Sequence, residues 1–219
     1  DSGGCGHFVR KFLKNRSALK GTDMTRFMMT LTVGILTVST ALVAGLPGMR
    51  GVDHIGLTVP DMTEAETFFV DVQRCEKTMS FGPFHDDEGT FMQDLLEVDP
   101  RAVNEQITLM RWGFSSNTEL FEYNTPDQKT VAMHNSNIGG HHIANYVDDI
   151  SADAAYLKDK SLRSLMGPLT INEGPAAGQS IMYFFAPWGL QMEEVSYPDG
   201  IAYEKDGSTV LWASHAPSK

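Results

Sequence analysis

Two histidines open two copies of one phrase. His54 stands second in DHIGLTVPD (residues 53–61) and His142 stands second in HHIANYVDD (residues 141–149), 88 positions apart. A lone histidine at the start of a strand is usually structural. Two at equivalent positions of a repeat are different, because pseudo-twofold pairing of the repeated units brings equivalent points together, and imidazoles so placed are candidate metal ligands. A divalent ion would also want carboxylates. Two neutral imidazoles and two carboxylates neutralise its charge and form a nitrogen–oxygen set suited to Fe, Mn, Ni, Co or Zn.

Acids are available on the last strand-like segment of each copy. TELFEY (118–123) offers Glu119 and Glu122, and QMEEV (191–195) offers Glu193 and Glu194. Side chains alternate across a strand, so only one of each pair can share a face with the histidines. Alternation does not choose between them.

The elements that must hold these residues repeat as well. In the first copy, VDHIGLTV (52–59) reads as a β-branched strand ending at Pro60. Asp61 and Glu64 then form a capping-box pattern before a helix over about 62–73, with Ala65, Phe68, Phe69 and Val72 at helical spacing. Strands are expected near 75–84, 103–112 and 118–124. The second copy repeats the order: a strand at 142–149, a helix from Ser151 to about Lys160, then strands near 162–170, 179–186 and 190–197. Each copy is a βαβββ module whose sheet leaves an apolar face open, so two modules must pair to cover it. The fold class is therefore α+β: two tandem βαβββ modules pairing into a curved mixed sheet around a metal-binding cup. Module one spans 51–127, a polar linker 128–140, module two 141–200 and a C-terminal tail 201–219. Only the block 82–101 lacks a counterpart; Phe91, Leu95 and Val98 suggest a short helix between acidic turns.

APWGLQMEEV (186–195) resembles the Pro-x-Gly-x-x-x-Glu signature that closes domains of the glyoxalase/bleomycin-resistance/dioxygenase (vicinal oxygen chelate) superfamily. DHIGLTVPDM and HHIANYVDDI resemble that superfamily's module starts, and the likeness covers about 51–200. The resemblance implies a glyoxalase-like fold with His54, Glu119, His142 and Glu193 as ligands of one divalent ion, Glu122 being the alternative to Glu119. It makes Glu193 the ligand because it stands four residues after Gly189. Glu119 and Glu193 are then also the catalytic carboxylates. His141 points away from His142 and packs. Arg111 and Tyr123, beside the expected cup, and His134 of the linker are candidates to contact substrate.

The implied activity is lyase or isomerase chemistry of the glyoxalase kind on a small vicinally oxygenated molecule, the metal stabilising an enolate or oxyanion. An Fe(II) extradiol-type dioxygenase using His54, His142 and Glu193 is the alternative. A metal-free, antibiotic-sequestering protein of the bleomycin-resistance type has no use for the full ligand set. The modules can pair within one chain or between the two chains of a homodimer.

Composition narrows the partners. Residues 1–49 carry six Lys/Arg and two Asp/Glu, a net of +4, whereas the remainder carries 11 basic and 26 acidic residues, a net of −15. An acidic body without a basic stripe excludes a nucleic-acid surface. Met24-Thr25-Arg26 and the uncharged run 27–48 read as an export signal (24–49), which makes the folded domain periplasmic or secreted; uncleaved, the run would anchor it in a membrane. Residues 1–23 are then an extension expected to be disordered. Of the two cysteines, Cys5 and Cys75, one lies in that leader, so the domain at 50–219 cannot form an internal disulfide, and Cys75 is expected to be a small buried hydrophobe.

Overall fold

Alternating residues at the start of the first module make β1 (His54–Val59), whose Leu57 and Val59 are buried while His54, Gly56 and Thr58 face outward. These assignments come from a computed structural model that describes residues 46–207 and 209–217. The expected extension and nearly all of the expected export segment lie outside the described residues. The chain divides into two units, Asp1–Gly51 and Val52–Lys219. Of the first, the described part is an exposed turn closed by Met49 N donating to Leu46 O at 3.2 Å. Among the described residues, no helix is long and apolar enough to cross a membrane.

The second unit holds both modules. After β1, Asp61 caps helix α1 (Met62–Thr67), its carboxylate accepting from Glu64 N at 2.8 Å. The helix was expected to run as one α-helical piece to about residue 73. It instead widens into a π-helical turn, Phe68–Val72, which presents the adjacent Phe68 and Phe69 to the core together. Strands β2 (Glu76–Phe81), β3 (Val103–Arg111) and β4 (Asn117–Asn124) complete a four-stranded sheet in the order β1-β4-β3-β2, with β1 parallel to β4. The unpaired block carries the expected short helix, α2 (Phe91–Leu96).

The second module repeats the plan with β5 (His142–Tyr146), α3 (Ile150–Asp159), β6 (Leu169–Thr170), β7 (Ser180–Phe185) and β8 (Gln191–Ser196), in the order β5-β8-β7-β6. Two elements differ from expectation. The α3 cap is Asp149, which accepts from both Ser151 N and Ala152 N at 3.0 Å, and β6 is only the last two residues of the expected strand.

The modules share one core built between their inner faces. Leu57, Val59, Met110 and Leu120 of the first sheet and Met182, Phe184 and Met192 of the second join α1 and α3 in a single buried cluster. Trp188, in the turn before β8, stands edge-on to Phe68 (ring centroids 5.4 Å apart) and close to Phe69 (5.9 Å). Polar ties cross the same junction: the Tyr156 hydroxyl donates to Asp71 O at 3.2 Å, and Asn145 Nδ2 to Gln73 Oε1 at 2.6 Å. Cys75 is a free, buried thiol, as expected, and burial pushes it up to about 12.

The α+β class and the two βαβββ modules are those read from the sequence. Each module contributes its own four-stranded sheet. Packing through α1 and α3 turns the other face of each sheet outward. It also leaves each histidine-bearing strand at the edge of its sheet.

Candidate functional site

The outward faces carry the repeated histidines, each opposite a carboxylate. His54 Nε2 lies 3.1 Å from Glu119 Oε2, and His142 Nε2 lies 2.9 Å from Glu193 Oε2. The register explains both pairs. In the first sheet Gly56 sits beside Glu119, and in the second Ala144 sits beside Glu193. The small residue two places after each histidine is thus the register neighbour of the carboxylate that the histidine meets.

The second nitrogen of each ring is also held. Asp53 Oδ1 lies 2.8 Å from His54 Nδ1, and Asn135 Nδ2 lies 3.2 Å from His142 Nδ1. The Asp53 contact, followed by the charge of Glu119, raises the pKa of His54 above its ordinary value against an opposing contribution from burial. Both holding residues escaped the sequence reading. Asp53 had a signal, being adjacent to His54 in the quoted phrase, whereas Asn135 belongs to the linker and has no local pattern.

Each ambiguous pair of glutamates divides between faces. Glu122 turns inward and accepts from Met62 N at 3.2 Å, at the start of α1, while Glu119 faces His54. Glu194 also turns inward. It is 3% exposed, Asn145 Nδ2 donates to its Oε1 at 3.2 Å, and burial, followed by the charge of Asp153, pushes it up to about 8.

The remaining candidates lie farther out. Arg111, at the end of β3, is exposed and shares a cross-strand row with Asn117 and His54, its Nε donating to Gly113 O at 3.0 Å. Tyr123 stacks on Phe121 (ring centroids 5.7 Å apart) on the Glu119 face; burial and then the charge of Glu119 raise its pKa. His134 is exposed in the linker and meets neither pair; it is its neighbour Asn135 that does. His141 turns away from His142, its Nδ1 lying 3.2 Å from Gly139 O. In the 85–88 loop, Asp86 is taken up by the backbone of its own turn, accepting from Phe91 N and Gly89 N at 3.1 Å.

Tyr183 is a further residue the sequence reading missed. It is the cross-strand partner of Glu193, and its ring stands edge-on to His142 with centroids 5.5 Å apart. Burial and then the charge of Glu193 raise the pKa of its phenol.

Chemically, each pair turns an imidazole nitrogen and a carboxylate oxygen toward each other, a donor set suited to a divalent transition ion. Each is half of the expected set. Among the described residues, no three or more His, Cys, Asp or Glu side chains form a group that could hold a metal ion. One chain thus brings His54 to Glu119 and His142 to Glu193, and does not bring the two pairs together.

Comparisons with known proteins agree with this architecture. Residues 53–184 match the family described as the Glyoxalase/Bleomycin resistance protein/Dioxygenase superfamily. The chain is 38% identical over 178 residues to a 2-epi-5-epi-valiolone epimerase of an Actinomyces species, an alignment spanning 78% of this chain and 96% of that protein. A glyoxalase family protein from Bacillus cereus has a similar fold, with a TM-score of 0.52 and 12% identity over 69% of this chain and 98% of that one. One from Enterococcus faecalis aligns with a TM-score of 0.46 and 18% identity, over 67% of this chain and 97% of that one.

Proposed function

Because the chain belongs to the glyoxalase/bleomycin resistance protein/dioxygenase superfamily, we propose that it is a divalent-metal-dependent epimerase. Its substrate is a small, vicinally oxygenated molecule of the valiolone type, and its active form is a homodimer. The observation that carries the reading is the pair of equivalent His–Glu half-sites, His54 with Glu119 and His142 with Glu193. Identity to an epimerase over nearly that protein's whole length favours isomerisation over the lyase and dioxygenase alternatives.

Epimerisation beside a carbonyl removes a proton from one face of a carbon and returns a proton to the other. It therefore needs two acid–base groups on opposite sides of the substrate. Glu119 and Glu193 hold equivalent positions in the two modules, so half-sites that face each other present one carboxylate to each side. One takes the proton as a carboxylate; the other delivers one as a carboxylic acid. His54 and His142, their rings steadied by Asp53 and Asn135, would hold the metal together with these glutamates. The bound ion supplies Lewis-acid stabilisation of negative charge developing on the substrate oxygens.

Assembly of the full site follows from the edges. Among the described residues, β1 and β5 each leave one backbone edge without a strand partner, the condition that favours strand addition by another chain. Pairing β1 of one protomer with β5 of its partner would extend both sheets and bring a first half-site against a second one.

The test is metal analysis of protein purified without added metal, beside the His142→Ala variant, and incubation with 2-epi-5-epi-valiolone in D2O. The reading expects stoichiometric metal that the variant loses, and epimer carrying solvent deuterium at the inverted carbon. Protein with no metal, and substrate with neither exchange nor inversion, would sink it.

A further inference from the structure

The face of the second sheet that carries His142 and Glu193 also carries two tyrosines. Alternation puts His142, Ala144 and Tyr146 of β5 on that face, and Glu193, Val195 and then Tyr197 at the end of β8. The two phenol rings meet there edge-on, centroids 5.0 Å apart. Ala144 pairs with Glu193 and Tyr146 with Val195, so Tyr146 starts one side-chain step, roughly 7 Å, beyond the carboxylate. The C-terminal tail returns onto this face. Its root is tied to the body, Ala202 N donating to Ala177 O at 2.9 Å and Tyr203 N to Pro175 O at 3.0 Å. The Tyr203 hydroxyl then accepts from Leu211 N at 2.8 Å. Past that tie, His215 lies stacked on Tyr146, with ring centroids 4.4 Å apart and planes at 28°, and edge-on to Tyr197 at 5.3 Å. Trp212 and Ser214 of the same tail line a cavity of about 980 Å³ along β5, together with His142, Ala144 and Tyr146. That size and that mixture of aromatic and polar lining suit a small-molecule site. The seat is particular to the second module, because Thr58 stands four residues after His54 where Tyr146 stands four after His142.

We infer that the C-terminal tail belongs to the second half-site and that His215 is a specificity-determining residue there. Its imidazole, seated on the Tyr146 ring, hydrogen-bonds a substrate hydroxyl that stands away from the reacting carbon. The inference rests on the epimerase reading above and adds to it the group that recognises the far side of the substrate. An ion that grips two neighbouring oxygens does not tell one polyhydroxylated ring from another. A ring nitrogen one step along the face does, because it is left unpaired by any substrate lacking a hydroxyl at that position. Stacking on Tyr146 and edge contact with Tyr197 fix where that nitrogen stands, so the aromatic seat supplies position and the imidazole supplies the hydrogen bond.

The test is steady-state epimerisation of 2-epi-5-epi-valiolone by full-length wild type, His215→Phe and Tyr146→Leu, with metal content and thermal midpoint recorded for each. His215→Phe keeps a ring on Tyr146 and removes both nitrogens. It is expected to raise KM roughly tenfold, the size of one lost hydrogen bond, with a smaller change in kcat. Metal content and midpoint should stay at their wild-type values. Tyr146→Leu, which removes the ring beneath His215, should raise KM comparably. Wild-type KM in either variant would overturn the inference while leaving the epimerase reading intact. A rise in KM matched by a fall in metal content or midpoint would overturn it as a merely structural effect. A fall in kcat at unchanged KM would overturn it by placing His215 in the chemistry instead. Wild-type protein that does not epimerise this substrate would overturn the underlying reading and this inference with it.

Discussion

Glu193 and Glu194 are neighbours in β8 that face opposite sides of their sheet. Glu193 lies 2.9 Å from the imidazole of His142 on the outward face, while Glu194 is sealed at the junction of the two modules. The alternation of a strand thus gives two identical side chains two different electrostatic environments. Glu194 accepts from Asn145 through one oxygen, and its other oxygen is buried without a hydrogen bond. A buried carboxylate so poorly paired is held neutral over much of the physiological range.

A stability consequence follows, with a definite sign. Burial, then the nearby Asp153, pushes Glu194 from its ordinary 4.5 up to about 8. Between those values the folded chain binds the proton more tightly than the unfolded one, so stability falls as pH rises through that window and levels off above it. Glu194→Gln keeps an acceptor for Asn145 and removes the charge. Urea unfolding should find the variant equal to wild type near pH 4. It should be more stable by pH 8.5, by on the order of a few kcal/mol. A difference that does not widen with pH would refute the assignment.

Much of the architecture was legible because burial is periodic. Leu57 and Val59 in β1, buried between exposed neighbours, follow alternation that the sequence displays directly, and the repeat itself exposed His54 and His142 as a pair. What was not legible depends on contacts between distant segments. Glu119 and Glu122 are separated by the backbone of Met62, which takes Glu122 as acceptor from 60 residues away. Nothing local announces that Asn135 meets His142 or that Tyr183 stands opposite Glu193. The resemblance, not the alternation, singled out Glu193 over Glu194. The separation of the two half-sites was equally hidden, because the same apolar faces allow modules to meet through helices or through sheet edges.

The Pro-Trp-Gly turn before β8 has its own physical requirement. Gly189 adopts φ +94° while its N–H donates to Ala186 O at 2.9 Å, closing the turn that sets where β8 begins. A Cβ there would meet only Ala132 Cβ at 3.5 Å, an ordinary contact. The cost of Gly189→Ala is therefore conformational rather than steric crowding, and should be about 1–2 kcal/mol. Chemical denaturation measures it directly. A variant as stable as wild type would mean that the turn relaxes to a negative φ, and β8, with Glu193, would then have no need of this glycine.

The open edges of β1 and β5 make a prediction about how protomers share a site. If each complete site draws His54 and Glu119 from one protomer and His142 and Glu193 from its partner, single-site variants should complement one another. His54→Ala and His142→Ala would each be inactive as homodimers, since every site lacks one imidazole. In the mixed dimer one site collects both defects, and the other collects none. Random mixing at equal expression makes half of the dimers mixed, so roughly one quarter of all sites regain the full set. Epimerase activity and metal content should therefore return to about that fraction of wild type in co-expressed protein, and not on mixing variants that cannot exchange subunits. Had each chain built its own site, co-expression would restore nothing, because no chain would carry both histidines.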